Sequence, residues 1–122
     1  MLGEDKFDRL RNSRVTVIGL GAVGGYATEA LARGGVGRLR LVDFDVLSPA
    51  NINRQLYALE STVGLPKVDV AAARIRDINP AAVVEPLRLF AAEDTMDAIV
   101  GDRPDLVIDA IDSLNPKVQV LG

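Results

Sequence analysis

The 122-residue chain contains no cysteine and no histidine. Those absences exclude disulfides, zinc centres of the Cys/His kind, cysteine nucleophiles and histidine general bases from these residues. Chemistry here has to run on carboxylates, arginine, lysine, amides and backbone. A basic block is missing too: 14 Lys and Arg against 17 Asp and Glu give a formal charge of −3. Proteins that grip nucleic acid through phosphates usually present a basic face, so a nucleic-acid partner would have to be held elsewhere or by few contacts. No apolar run approaches the roughly 18 residues of a membrane span. The opening MLGEDKFDRLRN is charged and lacks an apolar stretch of signal-peptide type, so the expectation is a cytoplasmic protein with no membrane partner.

What the chain does have is 48% apolar residues and a mean hydropathy of +0.19, the composition of a packed globular protein. One nucleotide-binding domain over residues 1–122 is expected: an N-terminal helix within 1–13 and a Rossmann-like unit over 14–122. The pattern alternates strand and helix. Arg14 to Leu20, Leu39 to Phe44, Val83 to Leu89 and Asp105 to Ile111 read as strands. The segment after Gly21, Pro66 to Ile78 and roughly 92–100 read as helices. Val23, Ala27, Ala30 and Leu31 mark the expected buried stripe of the first helix, and Val68, Ala71, Ala72, Ile75 and Ile78 that of the second. Pro86 makes the third strand short or peripheral. Such alternation predicts an α/β fold and a parallel sheet with helices on both faces; by analogy with dinucleotide-binding halves the expected order is 3-2-1-4, with a crevice between strands one and four. The ending DSLNPKVQVLG reads as the start of another helix, so the chain is expected to be the N-terminal half of a larger domain.

Between the first strand and its helix stands G-x-G-x-x-G as Gly19, Gly21 and Gly24. A turn of this kind lets a phosphate approach bare backbone at a helix N-terminus, though the same glycines also serve tight strand–helix packing. Asp43, at the end of the second strand, stands where an acid commonly bonds a ribose hydroxyl. To this point an NAD(P)-dependent oxidoreductase fits equally well. The long aperiodic loop from Asp45 to Leu65 separates the two readings, since loops of that length tend to be functional. Arg54 and Gln55, with Asn51 and Asn53 close by, then Lys67 at the next helix start, suit a triphosphate and a pyrophosphate leaving group better than a diphosphate. Asp112 is the expected acid for Mg²⁺ beside the phosphates; Asp109 is expected to bond backbone, and Asp45 is a weaker metal candidate.

The stretches GLGAVG, LVDFD, NRQ, VGLPK, INP and IDAID, in this order and spacing, resemble the ubiquitin-activating-enzyme-like adenylating superfamily. EALARGGVG, NINRQLYAL, KVDVAAARIRDINP and VIDAIDSLNPK are most similar to its tRNA threonylcarbamoyladenosine dehydratases. The resemblance runs from about Leu2 to the end. It implies Gly21 at the phosphates, Asp43 on the ribose, Arg54 and Lys67 on the polyphosphate, Asp112 near Mg²⁺ and the α-phosphate, and Asn51 and Gln55 as supporting contacts. The implied activity is ATP-dependent adenylation of a carboxylate, with tRNA as substrate and a homodimer as the full-length form. In the family an arginine-bearing segment precedes the position of Met1, and further strands, substrate-binding segments and dimer contacts follow that of Gly122. Three alternatives stay open on the residues alone. They are activation of the C-terminus of a ubiquitin-like sulfur-carrier protein, an NAD(P)-dependent oxidoreductase, and a non-catalytic module that packs against a partner.

Overall fold

Short apolar strands alternating with helices leave a sheet whose two faces must both be covered. The computed structural model describes residues 8–49, 52, 55–111 and the backbone of 117–120. Strands β1 (Arg14–Ile18), β2 (Arg38–Val42), β3 (Val83–Leu87), β4 (Leu106–Asp109) and β5 (Lys117–Val120) form one sheet in the order β3-β2-β1-β4-β5. Helices α1 (Ala22–Gly34), α2 (Lys67–Ile78) and α3 (Met96–Val100) connect them, and residues 8–11 form a helical turn ahead of β1. Strands β1 to β4 pair in parallel in the expected order. Right-handed crossovers then put α1 and α2 on one face and α3 on the other, because the chain reverses direction across the sheet after β3.

Several boundaries differ from the sequence expectation, each for a local reason. Strand β1 ends at Ile18 because Gly19 turns out of it with φ +94°. Strand β4 ends at Asp109, whose Oδ1 accepts the Ile111 N–H at 3.2 Å and starts a turn. The helix expected from residue 92 begins only at Met96. Thr95 holds the residues before it as a turn, its Oγ accepting the Ala92 N–H at 2.9 Å. The last segment is a strand, not a helix: β5 lies antiparallel on β4, Leu106 opposite Val120 and Asp109 opposite Lys117. Four residues make barely one helical turn, whereas the free edge of β4 offers the alternating KVQV a ready ladder. Residues 1–7 of the expected N-terminal helix lie outside the described residues. No helix among the described residues is long and apolar enough to cross a membrane.

The main core lies between the sheet and α1/α2. Val15, Val17, Leu39 and Leu41 meet Ala32, Val68, Ala71, Ala72 and Ile75 there. A smaller cluster under α3 joins Ile18, Val42, Ile99 and Val107. The α2 stripe follows the expectation except that Ile78 is half-buried and Lys67 is buried. The α1 stripe does not. Its buried residues are Gly24, Gly25, Thr28 and Ala32, while Ala30 is exposed. Small residues carry little apolar signal, and here they are needed so that the helix can lie close to its neighbours. The ring of Tyr57 rests on Gly25, 3.3 Å from where a Cβ would be, and its hydroxyl donates to the Gly25 carbonyl at 3.1 Å. Burial, with the nearby Glu29 charge, pushes the Tyr57 phenol far above its ordinary range, so it stays a neutral donor.

Ion pairs position what the core stabilises. A fully buried leucine such as Leu41 is worth about 1.5–3 kcal/mol, and an exposed ion pair at most about 1 kcal/mol. Arg40 anchors α3 from beneath, donating to the Ile99 carbonyl at 2.9 Å, to Asp102 at 2.7 Å and to Glu85 at 2.9 Å. Glu29 joins α1 to α2 by accepting from Arg74 at 2.6 Å and from Arg33 at 3.1 Å. Burial acts to raise the Glu29 carboxyl, but the two guanidinium groups outweigh it and leave it below its ordinary value of 4.5. A depressed carboxylate adds stability that is complete above the unfolded value and is lost as pH falls through the folded one. Thermal melts between pH 3 and 6 should therefore show an acid-side loss of stability that Glu29→Gln flattens. An unchanged acid limb in that variant would mean the bridge contributes nothing.

Candidate functional site

Parallel strands leave their carboxyl ends, and the loops leaving them, around one crevice. That crevice is a cleft of about 590 Å³, walled by the glycine turn, the start of α1, the ends of β2 and β4, and the segment after β3. Gly19, Gly21, Asp43, Asp45, Gln55 and Lys67 all line it. Asn51, Arg54 and Asp112, expected at the same place, lie outside the described residues, as does Asn53.

The glycines do different work. A Cβ on Gly24 would lie 1.8 Å from the Gly19 carbonyl oxygen, so this position brings helix and turn together and admits nothing larger. Gly19 needs its left-handed φ, and a Cβ there would press on the Ala110 carbonyl at 3.0 Å. Gly21 is unlike both. It is the N-cap of α1 with an ordinary φ of −70°, and a Cβ would meet nothing nearer than Gln55 Nε2 at 4.0 Å. The space above it is open cleft. Among the described residues no side chain caps α1, and no acid stands in its first turn. Its leading N–H groups therefore keep their partial positive charge for whatever enters.

Asp43 holds the turn in shape. Its Oδ2 accepts the Leu20 N–H and its Oδ1 the Asp45 N–H, both at 2.8 Å. Each oxygen retains a lone pair toward the cleft. The two amides anchor the loop leaving β1 to the loop leaving β2, so the acid is structural and available at once. On the next strand-end, the Phe44 and Phe90 rings meet edge to face with centroids 5.0 Å apart and an interplanar angle of 66°. They are 49% and 61% exposed, and with Leu89 and Ala91 they give that end of the cleft an apolar wall. The sequence offered no signal for this pair, since 46 residues separate the two rings.

The described parts of the long loop are packed. The Val46–Pro66 bridge closes its base, the Leu47 N–H donates to the Leu65 carbonyl while the Leu47 carbonyl accepts the Gly64 N–H, and Tyr57 and Ala58 are buried. This holds Gln55 at 8% exposure with its Nε2 end toward Gly21, while Oε1 has no hydrogen-bond partner among the described residues. A buried acceptor left unpaired costs about 1–3 kcal/mol, which a donor arriving with a ligand would recover. Lys67 is 6% exposed, and Asp45 Oδ2 stands 3.8 Å from its Nζ, beyond hydrogen-bond length. The Lys67 backbone N–H donates to the Asp45 carbonyl at 3.0 Å. Asp45, weighed only as a metal acid, is thus the residue that positions Lys67. Asp109 bonds backbone as expected. No group of three or more acids able to hold a metal occurs among the described residues.

Known proteins resemble this chain along most of its length. The profile of the ThiF family matches residues 1–121. The chain belongs to the ThiF family. It is 48% identical over 98% of its length to the tRNA threonylcarbamoyladenosine dehydratase of Bacillus subtilis, covering 47% of that protein. It is 37% identical over 93% of its length to the molybdopterin-synthase adenylyltransferase of Salmonella typhimurium, covering 45% of it. Among solved structures, Escherichia coli TcdA, a tRNA N6-threonylcarbamoyladenosine dehydratase crystallised with ATP, superposes with a TM-score of 0.88 at 41% identity. That match covers 93% of this chain and 47% of TcdA. The chain thus spans about half the length of these ThiF-family relatives.

The two inner glycines should separate in mutagenesis. Gly24→Ala is expected to lose more than about 2 kcal/mol, the cost of forcing atoms into a packed contact. Gly21→Ala should melt within a degree or two of the parent. Equal melting temperatures for both would show that the turn is looser than its geometry.

Proposed function

We propose that this chain is the ATP-binding half of a ThiF-family enzyme that activates a carboxylate by adenylation. We assign the carboxylate to a threonylcarbamoyl group on a tRNA adenosine, whose loss of water then closes a ring. The observation that carries the reading is the open backbone of Gly21 at an uncapped helix start, facing a buried Gln55 and a buried Lys67 across one cleft. A hydride-transfer site would have little use for a buried lysine at the phosphate end. The higher identity to the dehydratase of Bacillus subtilis than to the Salmonella adenylyltransferase supports the choice of substrate.

Bound ATP would supply the electrophilic α-phosphorus and pyrophosphate as leaving group. The α1 N-terminus at Gly21, Lys67 and Arg54 would hold the phosphate oxygens and offset the charge that develops on them. Asp43 would accept from the ribose, Asn51 and Gln55 would add polar contacts, and Phe44 with Phe90 would back the base. Mg²⁺ would take Asp112, with the remaining oxygens coming from phosphate and water, the mixed set this ion favours. The attacking group is a carboxylate, already ionised at neutral pH, so no general base is required. That explains how a site without histidine or cysteine can serve. A cytoplasmic homodimer of the longer chain belongs to the same reading.

Calorimetry should show ATP binding in preference to NADH, and Gly21→Ala should weaken ATP at least tenfold without altering the fold. Preference for NADH would replace this reading with an oxidoreductase. In the longer protein, Lys67→Met and Arg54→Ala are each expected to lower turnover about 10²-fold, the usual loss for one preorganised charge contact. Near-normal turnover in both would remove the loop from the site. Modified tRNA should trigger pyrophosphate exchange; if a sulfur-carrier protein triggers it instead, the substrate is the C-terminus of that carrier.

A further inference from the structure

The sequence has no basic block, yet the fold gathers one at the end of the sheet opposite the cleft. Parallel strands begin together, so Arg14 and Arg38, the first residues of β1 and β2, stand side by side in register. Like charges at paired positions are unfavourable unless something negative lies against them. Arg14 Nη2 donates to the Arg103 carbonyl at 3.4 Å, which brings the turn before β4 to the same place. The 8–11 turn joins it from the other side: the Leu10 carbonyl accepts the Gly37 N–H at 3.0 Å, and a Cβ on Gly37 would strike the Arg11 carbonyl.

Of the nearby acids three pair with arginines, and the fourth, Asp105, is bound through backbone and keeps its charge. Asp8 pairs with Arg11, Glu85 and Asp102 pair with Arg40, and Asp105 Oδ2 accepts the Arg14 N–H at 2.8 Å. Among the described residues no carboxylate forms an ion pair with the guanidinium of Arg9, Arg14 or Arg38. Arg9 and Arg38 are exposed, and Arg14 is half-buried. A shallow pocket of about 160 Å³ is lined by Arg14, Arg38 and Arg40 together with Glu85 and Asp102, the two carboxylates that pair with Arg40. Each of these arginines offers several N–H donors in a planar fork, the chemistry that suits a phosphate diester.

We propose that this arginine edge docks the phosphate backbone of the RNA substrate. The proposal rests on the tRNA reading given above. Five residues of β1 separate the edge from the cleft, about 16 Å at about 3.3 Å per residue, within the reach of an RNA stem whose modified base enters the cleft. The edge positions and does not read sequence, because phosphate contacts carry no base information.

The test uses the longer enzyme that contains this chain, with tRNA bearing threonylcarbamoyladenosine as probe. Arg14→Gln with Arg38→Gln should weaken tRNA binding about tenfold at moderate salt. The slope of log affinity against log salt should become shallower by about 1 to 2, as expected for two lost phosphate contacts. ATP affinity measured without RNA should stay unchanged, which also verifies folding, and Arg14→Lys with Arg38→Lys should restore most of the slope. Arg9→Gln with Arg38→Gln, both at exposed positions, repeats the test without touching β1. Unchanged tRNA affinity and slope, with tRNA still turned over, would overturn the arginine edge alone. A wild-type enzyme that ignores tRNA and responds to a carrier protein would overturn the functional reading, and the edge with it.

Discussion

The site depends on one contact that admits no side chain. Gly24 of α1 approaches the Gly19 carbonyl so closely that a single methyl would lie 1.8 Å from the oxygen. The approach sets α1 hard against the strand ends and leaves its N-terminus directed into the cleft. Asp43 secures the arrangement from the other side by accepting one amide from each of the two flanking loops. The glycine supplies closeness and the carboxylate supplies rigidity.

Two charges of opposite sign have to coexist beside that turn. Asp43 and Asp45 would repel a polyphosphate if both were free. Asp43 has its charge spread over two N–H donors, and Asp45 faces a buried lysine. The 3.8 Å separation of Lys67 and Asp45 leaves the ammonium held in place and still short of hydrogen-bond acceptors. A cleft with this balance favours a ligand that brings negative oxygens of its own. The buried, unpaired Oε1 of Gln55 makes the same point with a neutral group, since it too is best satisfied by something that arrives.

Much of this was legible in the residues. The alternation of apolar runs indicated a parallel sheet, because strands that run apolar on both faces have few other stable arrangements, and its order followed by analogy with dinucleotide-binding halves. Gly19, Gly21, Asp43 and Lys67 stood at spacings that implied a shared crevice, and all four line one cleft, while Gly24 packs behind it and Asn51, Arg54 and Asp112 lie outside the described residues. The α1 stripe was misread because glycine and threonine bury without announcing themselves as apolar. The final KVQV was misread because a four-residue segment takes its conformation from the edge available to it.

The sequence by itself determined the first four strands, the helices between them and the chemistry open to the site, because periodicity, glycine and the lack of histidine and cysteine are properties of the chain alone. Only the tertiary structure decided which glycine is packed and which is open, since that depends on what lies across from it. The same holds for Phe44 against Phe90, for Asp45 as the residue that places Lys67, and for scattered arginines that become a single edge. Each is a contact between residues far apart in the chain, and no local pattern encodes such a meeting. Distance along the backbone is what the fold removes.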